Sequence, residues 1–423
     1  MSTSVLRLSL CFFLLAGLAG CGGSASCGSC GGGSPTIVTY TFTGFAPVAV
    51  ATQIGSGAYT QATLTSGKLT LSVPSGETNF SIAYLCPSPT AGPFVNQEYI
   101  NQASTLDGTA FSETCVEGGD ASQGGMATVQ VDATAIRGAE DIFVTYQGGG
   151  PGDTFNSSVE LAVGTYDVPI YVTSAGGIYE AIAAKILRDK TIPGALNGGA
   201  PVVFQTTDET VPQAITYNNV PNGYSPSGGE VNYYTADGSW VPLALGTIPA
   251  ATQYMAMPSG TYQSGDYYEF EVEANNAAGD GSVSINKYTS SAGPQSFAFP
   301  APFSYAGPAA AALPAFNFTY SGFSGMSNIS QQAAIYWGVG TWGTFPIPAD
   351  LDSITMTATA NYQNGSTAMN IPDLSSLTGF LAPVPSGTTV SWTAGFNQGN
   401  PFLTTPPSGI IQSVSNSGSY TEP

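Results

Sequence analysis

An internal repeat is the feature that most constrains the fold of this chain. In each copy an alternating polar and apolar run ends at a glycine turn, and a second alternating run follows. Alternation of this kind predicts β-strands with one buried face. Pro-Ser precedes the glycine in three of the four copies, and we interpret each turn as a hairpin between its two strands. The copies are LTLSVPSGETNFSIAYL (69–85), VELAVGTYDVPIYV (159–172), TQYMAMPSGTYQSGDYYEFEVEA (252–274) and FLAPVPSGTTVSWTAGF (380–396).

The spacing of the repeats predicts tandem domains. The turn glycines Gly76, Gly164, Gly260 and Gly387 lie roughly 90 to 130 residues apart, which is the length of one β-sandwich unit. We therefore predict an all-β chain of tandem immunoglobulin-like antiparallel β-sandwich units. Fewer, larger domains are the alternative. The predicted units cover 35–122, 123–206, 207–303 and 304–423, and the last begins with a Pro/Ala-rich linker.

One segment, GGIYEAIAAKILRDK (176–190), has two interpretations. Ile178, Ala181, Ile182 and Ile186 fall on one face of a helix. The segment also follows a repeat turn at nearly the same offset as SINKYTSSAG in the next copy. This context favours a strand over a helix.

The start of the chain predicts a signal peptide over residues 1–20. The apolar segment LSLCFFLLAGLAG (8–20) is shorter than the roughly twenty residues that a membrane-spanning helix needs. The sequence Leu18-Ala19-Gly20-Cys21 that closes it resembles the lipobox of bacterial lipoproteins. The resemblance implies cleavage before Cys21 and a diacylglycerol on its sulfur. An ordinary secretory signal is the alternative.

The same resemblance implies a location and a partner. Lipid on Cys21 would hold the protein to a membrane, because each buried CH₂ contributes about 0.8 kcal/mol. Gly22 follows the cysteine, as in lipoproteins sorted to the outer membrane. We expect a lipid-anchored protein of the cell envelope, facing the periplasm or the cell surface.

Four further cysteines remain in the predicted mature chain. Cys27 and Cys30 lie in a Gly/Ser-rich tether (21–34), whereas Cys86 and Cys115 flank one stretch of the first unit. Three pairings are possible, and the economical one joins Cys27 to Cys30 and Cys86 to Cys115. The CGSC sequence lacks the helix of a redox motif and the further ligands of a zinc site, so we interpret it as part of the tether.

Composition excludes several kinds of chemistry. The chain has no histidine, which removes histidine general bases, Ser-His-Asp triads and histidine-containing zinc sites. It has 7 Lys and Arg residues against 27 Asp and Glu residues, which argues against nucleic-acid binding. We predict no enzyme activity, no cofactor and no metal.

The candidate binding residues are aromatic. Tyr336, Trp337 and Trp342 lie close together in sequence and would stack on sugar rings if they were exposed; the alternative is that they are buried in a core. Acidic turns offer a weaker calcium alternative, although none matches the calcium-loop pattern. These turns hold Asp237, Asp280, Asp350 and Asp352.

The favoured function is therefore a lipid-anchored envelope protein whose β-sandwich units act as non-catalytic spacer, adhesion or binding modules. Its partner would be another envelope protein or a polysaccharide. The alternative is a polysaccharide-binding lipoprotein that uses exposed aromatic side chains. A glycoside hydrolase with two facing carboxylates is less favoured, because no sequence signature indicates such a pair.

Overall fold

The computed structural model describes residues 34–44, 46–86, 94–115, 124–144, 154–174, 180–245, 253–323, 326, 328–339, 350–398 and 409–423. The chain is all-β with several packed sheets, which confirms the predicted fold class. The immunoglobulin-like detail stays a prediction. In the described part of the chain, no helix is long and apolar enough to span a bilayer.

We group the strands into four units in chain order. Unit 1 holds β1 (Thr36–Gly44), β2 (Ala49–Ile54), β3 (Thr60–Gln61), β4 (Lys68–Val73), β5 (Asn79–Cys86), β6 (Phe94–Ser104) and β7 (Ala110–Cys115). Unit 2 holds β8 (Gly124–Asp132), β9 (Asp141–Val144), β10 (Thr154–Ala162), β11 (Gly164–Thr173), β12 (Ala181–Ile192), β13 (Gly194–Ala195) and β14 (Val202–Val203).

A 3-10 helix (Thr206–Asp208) leads to the second half of the chain. Unit 3 holds β15 (Val211–Asn218), β16 (Tyr224–Tyr234), β17 (Trp240–Leu245), β18 (Gln253–Ala256), β19 (Tyr267–Asn276), β20 (Gly281–Thr289) and β21 (Gln295–Ala298). Unit 4 holds β22 (Ala315–Asn317), β23 (Ile329–Val339), β24 (Asp350–Thr359), the short helix α1 (Ala360–Gln363), β25 (Ala368–Asn370), β26 (Thr389–Gln398) and β27 (Gly409–Thr421).

One pairing pattern recurs in the units. In unit 1, β1 pairs antiparallel with β4 and parallel with β7, while β6, β5, β2 and β3 form the facing sheet. In unit 2, β8 takes the place of β1, between β10 and the parallel strands β13 and β14. In unit 3 this place belongs to β15, between β18 and the parallel β21. In unit 4, β22 pairs with β25. The division into independent domains stays a prediction.

Three of the units share one twelve-stranded sheet. Its order is β17-β16-β19-β20-β27-β26-β23-β24-β6-β5-β2-β3, so four strands each come from units 3, 4 and 1. Unit 3 joins unit 4 through the antiparallel pair β20 and β27, and unit 4 joins unit 1 through the parallel pair β24 and β6. Each junction pairs strand edges that would otherwise be open.

The two faces of this sheet are covered differently along its length. In units 3 and 4 the buried face carries residues such as Phe270 and Ile354, and Ile100 of unit 1 belongs to the same core. The opposite side of the unit 1 strands carries Ile82, which packs with Tyr40 of β1 in a separate core. The covering sheet of unit 1 therefore lies on the opposite face from the covering strands of units 3 and 4. Among the described strands, no second sheet covers the outward face of units 3 and 4.

The predicted hairpin at the Pro-Ser-Gly turns is wrong. The turns themselves form, and the nitrogen after each glycine donates to the oxygen of Pro74, Pro258 or Pro385. Each glycine has a φ of about 80 to 90° that suits the third position of a type II turn. However, β4 pairs with β1 and β5 pairs with β2 and β6, so the turn carries the chain from one sheet to the other. Alternation indicates which side of a strand is buried, but it does not indicate which strand it pairs with. A hairpin and a turn that connects two different sheets therefore have the same sequence pattern. The run before Gly387, residues 380–384, forms no strand.

The Pro/Ala-rich segment predicted as a linker packs into a core. Phe303 is buried and its ring lies edge-on to Phe396, with 5.5 Å between centroids. Tyr305 packs against Trp392 in the same way, and the hydroxyl of Tyr420 donates to the oxygen of Ala311 at 2.8 Å. The aromatic residues between the prolines thus make this segment part of unit 4.

The part of the ambiguous segment that the structure describes forms a strand from Ala181 onward, as its context predicts, whereas residues 176–179 lie outside the described residues. Residues Ala181–Ile192 form β12, which pairs along its length with β11.

Candidate binding face

The open side of β16, β19 and β20 carries a cluster of acidic and aromatic side chains. Alternate residues of these strands, including Tyr233, Phe270 and Ile285, point into the core and are fully buried or nearly so. The residues between them line the outward face. We name this set the acidic face, and its residues are Glu230, Asn232, Tyr234, Tyr267, Glu269, Glu271, Glu273 and Tyr288.

Strand register places like charges opposite each other on the acidic face. Glu230 lies directly across from Glu271, a position in which side chains start about 4.5 to 5.5 Å apart and like charges are unfavourable. Burial raises the pKa of Glu230, and the charge of Glu269 raises it further. Burial likewise raises the pKa of Glu271, with added contributions from Glu230, Glu269 and Glu273. The strands thus concentrate negative charge at a cost to their own stability.

No basic side chain in the described residues forms an ion pair with these glutamates. The ion pairs found there join Lys185 to Asp208 and Arg188 to Asp167 and Asp266. Lys287 lies on β20, but it points to the other side of the sheet, with its Nζ 5.6 Å from the ring centre of Phe297. The acidic face therefore has no cationic partner within this part of the chain.

The tyrosines of the acidic face pack against one another. The rings of Tyr234 and Tyr267 stack at 5.1 Å with an angle of 10°, and Tyr288 lies 6.1 Å from Tyr267. The hydroxyl of Tyr288 donates to Oε1 of Glu269 at 2.9 Å. Burial raises the pKa of Tyr234 and Tyr288, so their hydroxyls remain protonated. Stacking covers one face of each of these two rings, so neither ring can offer both of its faces to a ligand.

Asn232 lies at the base of the acidic face. It is 3% exposed and stands opposite Glu269 in the register of β16 and β19. Its side chain hydrogen-bonds to Glu230, which lowers the pKa of that carboxyl against the larger effect of burial. Its side-chain carbonyl oxygen is buried and has no hydrogen-bond partner. Buried polar atoms are nearly always paired, so this acceptor is exceptional.

In sequence, the chain matches no protein-family model and no curated protein. The kind of ligand that the acidic face can bind therefore follows from its own residues. The acidic face offers carboxylate oxygens, tyrosine hydroxyls and one amide oxygen without a donor.

The structure does not bring the predicted sugar-binding residues together. Tyr336 and Trp337 are neighbours on β23, and successive side chains of a strand point to opposite faces. Trp337 is 7% exposed and belongs to the core, whereas Tyr336 is half-buried on the other side. Trp342 lies outside the described residues. Trp337 therefore lacks the exposed ring face that stacking on a sugar requires.

The predicted cysteine pair of unit 1 is present. Cys86 at the end of β5 and Cys115 at the end of β7 form a disulfide, with their Cα atoms 5.3 Å apart. The bond links the two facing sheets of the unit. Cys21, Cys27 and Cys30 lie outside the described residues.

Three of the carboxylates in the predicted acidic turns accept hydrogen bonds from neighbouring side chains. Asp237 accepts from Thr235, Asp280 accepts from Asn276 and Asp352 accepts from Asn96. Asp350 begins β24. The described residues contain no group of three or more acidic or cysteine side chains placed to hold a metal ion.

Two carboxylates of unit 1, the buried Glu98 and the half-buried Glu113, were not predicted. Burial raises the pKa of Glu98 and of Glu113 to about 7 in each case. Glu113 accepts hydrogen bonds from Tyr84 at 2.8 Å and from Asn101 at 2.7 Å. Asn101 and Glu98 are an odd number of residues apart on β6, so their side chains lie on opposite faces of the sheet. The sheet separates the two carboxylates. The one sequence signal that could have indicated their shielding from solvent is that each glutamate lies at an inward-facing position of an alternating strand.

Proposed function

We propose that the chain is a lipid-anchored, non-catalytic protein of the cell envelope that binds a partner through the acidic face. The observation that carries this proposal is the acidic face itself, a concentration of carboxylates that form no ion pair within the described residues, on a sheet face that no second sheet of the described residues covers. Local arrangements that oppose stability are typical of functional sites.

The twelve-stranded sheet supports a role in presenting this face. Continuous hydrogen bonding across three units fixes the outward strands of unit 3 relative to those of unit 4. A rigid sheet holds binding groups at fixed spacing, which lowers the entropic cost of association. This arrangement suits an adhesion or binding module, and the sequence Leu18-Ala19-Gly20-Cys21 supports the lipid anchor.

The absence of enzyme activity is part of the same proposal. A glycoside hydrolase needs two carboxylates about 5 to 10 Å apart across a cleft. Glu98 and Glu113 have the raised pKa values that such catalysis uses, but a sheet lies between them. The chain also lacks histidine. A sugar platform at Tyr336 and Trp337 is not part of the proposal, because Trp337 is buried.

Membrane fractionation tests the anchor. We expect the Cys21→Ser variant to move from the membrane fraction to the soluble fraction, while the Cys27→Ser variant stays with the membrane. A Cys21→Ser protein that remains in the membrane fraction after a high-salt wash, which screens the charged contacts of the acidic face, would refute the lipid anchor.

Co-sedimentation with isolated cell-envelope fragments tests the binding role. In detergent, which keeps the lipid on Cys21 from holding the protein to the fragments, we expect the wild-type protein to sediment with the fragments and the Glu230→Gln/Glu271→Gln variant to remain in the supernatant. The Glu140→Gln/Glu160→Gln variant, which makes the same charge change at exposed positions of unit 2, is the control. Equal binding by all three proteins would refute a role for the acidic face.

A further inference from the structure

We infer that the partner of the acidic face is an extended, lysine-containing segment of another protein. This inference rests on the proposed function, because it names the chemistry of the partner that the face would bind. It begins from an imbalance of hydrogen-bonding groups on the face, which carries many acceptors and few donors.

The imbalance is greatest around Glu271. Glu269 accepts from Tyr288, and Glu273 accepts from Ser282 at 2.7 Å. Glu271 accepts no hydrogen bond from the described residues and lies opposite Glu230. A donor with positive charge would relieve both the missing hydrogen bonds and the repulsion between these two carboxylates.

The unpaired oxygen of Asn232 is the second, independent observation. This oxygen is buried, and it belongs to a side chain that hydrogen-bonds to Glu230, so a donor that reaches it must be small. An ammonium group is compact and has three donors, which matches two carboxylates and one amide oxygen. A guanidinium group is planar and wider. The arrangement thus favours lysine.

The spacing of the acidic side chains favours an extended segment. Glu269, Glu271 and Glu273 alternate along β19, which places them about 7 Å apart. Alternate side chains of an extended peptide have the same spacing. A peptide with lysine at every second position would therefore bring one ammonium to each carboxylate.

The packing of the tyrosines disfavours a polysaccharide. Aromatic residues that bind sugars do so through a free ring face, and the stacking of Tyr234 on Tyr267 covers one face of each of these rings. A second copy of this chain is also disfavoured, because its net charge is −20 with only 7 basic residues in total. Charge complementarity therefore points to a basic partner.

Fluorescence anisotropy with the full chain in detergent tests the inference. The probe is a labelled peptide of alternating lysine and threonine, and a peptide of alternating glutamate and threonine is its control. We expect the lysine peptide to bind, the Glu230→Gln/Glu271→Gln variant to bind at least about tenfold more weakly, and the Glu140→Gln/Glu160→Gln control to change affinity less than about twofold. The Asn232→Ala variant, which changes no charge, should weaken binding about fivefold.

Three results would overturn the inference. The first is that the lysine peptide fails to bind. The second is that both double variants weaken binding equally, which would show that only net charge matters. The third is that the chain binds a neutral or amine-bearing polysaccharide and not the peptide. Thermal unfolding of each variant checks that it is folded. Loss of peptide binding leaves the membrane fractionation and co-sedimentation results unaffected, so failure of this inference is distinguishable from failure of the proposed function.

Discussion

Arg188 of β12 forms an ion pair with Asp266, which lies in the connection between β18 and β19. Its Nη2 is 2.6 Å from Oδ2 of Asp266, whose side chain is fully buried, and its Nη1 is 2.7 Å from Oδ2 of Asp167. The hydroxyl of Tyr233 also donates to Asp266. Two units that the sequence presents as separate repeats are therefore joined by a buried charge.

Replacing Arg188 should destabilise the junction between units 2 and 3. The Arg188→Ala variant leaves the carboxylate of Asp266 buried without its cation, which typically costs 3 to 5 kcal/mol. Urea unfolding would measure the loss. Lys185→Ala on the same strand is the matched control, because Lys185 and Asp208 form a more exposed pair and should contribute about 1 kcal/mol or less. Equal losses in the two variants would contradict the assigned role of Arg188.

The Glu98→Gln variant should be more stable than the wild type at high pH. Burial raises the pKa of Glu98 from 4.5 to about 7, so folding favours the protonated form. The contribution of this group to stability is complete below pH 4.5 and is lost as the pH rises through about 7. Glutamine does not ionise but still accepts the hydrogen bond that the backbone nitrogen of Leu381 donates to Glu98.

Urea unfolding at pH 4.5, 6 and 8 tests this prediction. The variant should gain up to about 3 kcal/mol over the wild type at pH 8 and nothing at pH 4.5. Glu140→Gln, which removes one carboxylate at an exposed position, is the control. A difference between Glu98→Gln and wild type that is the same at all three pH values would show that the pKa of Glu98 is not raised by folding, and would contradict the prediction.

The sequence was sufficient to locate strands and one covalent link. Alternation in KLTLSV matches the alternating burial of β4, and repeat context correctly favoured a strand at β12. Cys86 and Cys115 pair because the turns of unit 1 bring the ends of β5 and β7 together. These features depend on local pattern and on the number of available cysteines.

The joining of units could not be predicted from the same patterns. Alternation indicates which side chains are buried, but strand pairing uses backbone groups that every sequence provides. Two features of the fold leave no signature in the sequence. One is the parallel pairing of β24 with β6, and the other is that the covering sheet of unit 1 lies on the opposite face of the twelve-stranded sheet from the covering strands of units 3 and 4. The acidic face was missed for a related reason. Alternation in YYEFEVEA indicates only that its glutamates share one side of a strand, and the register with β16 is needed to show that Glu230 faces Glu271.

Removing the disulfide should destabilise unit 1. The bond closes a loop with a sequence separation of 29 residues, which corresponds to about 3.6 kcal/mol of loop-closure entropy at 25 °C. We expect the Cys86→Ser/Cys115→Ser variant to lose 2 to 5 kcal/mol. Urea unfolding followed by the fluorescence of unit 1 tyrosines would measure the loss. Addition of a reductant should reproduce this loss in the wild type and leave the variant unchanged; a reductant effect of equal size on both would assign the loss to other groups.

Replacing Trp337 should lower stability rather than remove a sugar-binding site. Trp337 is 7% exposed and packs in the core of unit 4, where truncation of a large aromatic side chain typically costs 3 to 5 kcal/mol. Tyr262, which is 44% exposed, is a matched aromatic control, and Tyr262→Ala should cost less than about 1 kcal/mol. Urea unfolding of both variants gives these values, and a glycan array gives any change in sugar binding. A Trp337→Ala protein with wild-type stability and a selective loss of sugar binding would contradict the buried position of Trp337 and restore the aromatic platform. If instead any loss of sugar binding follows the unfolded fraction, Trp337 contributes to the core alone.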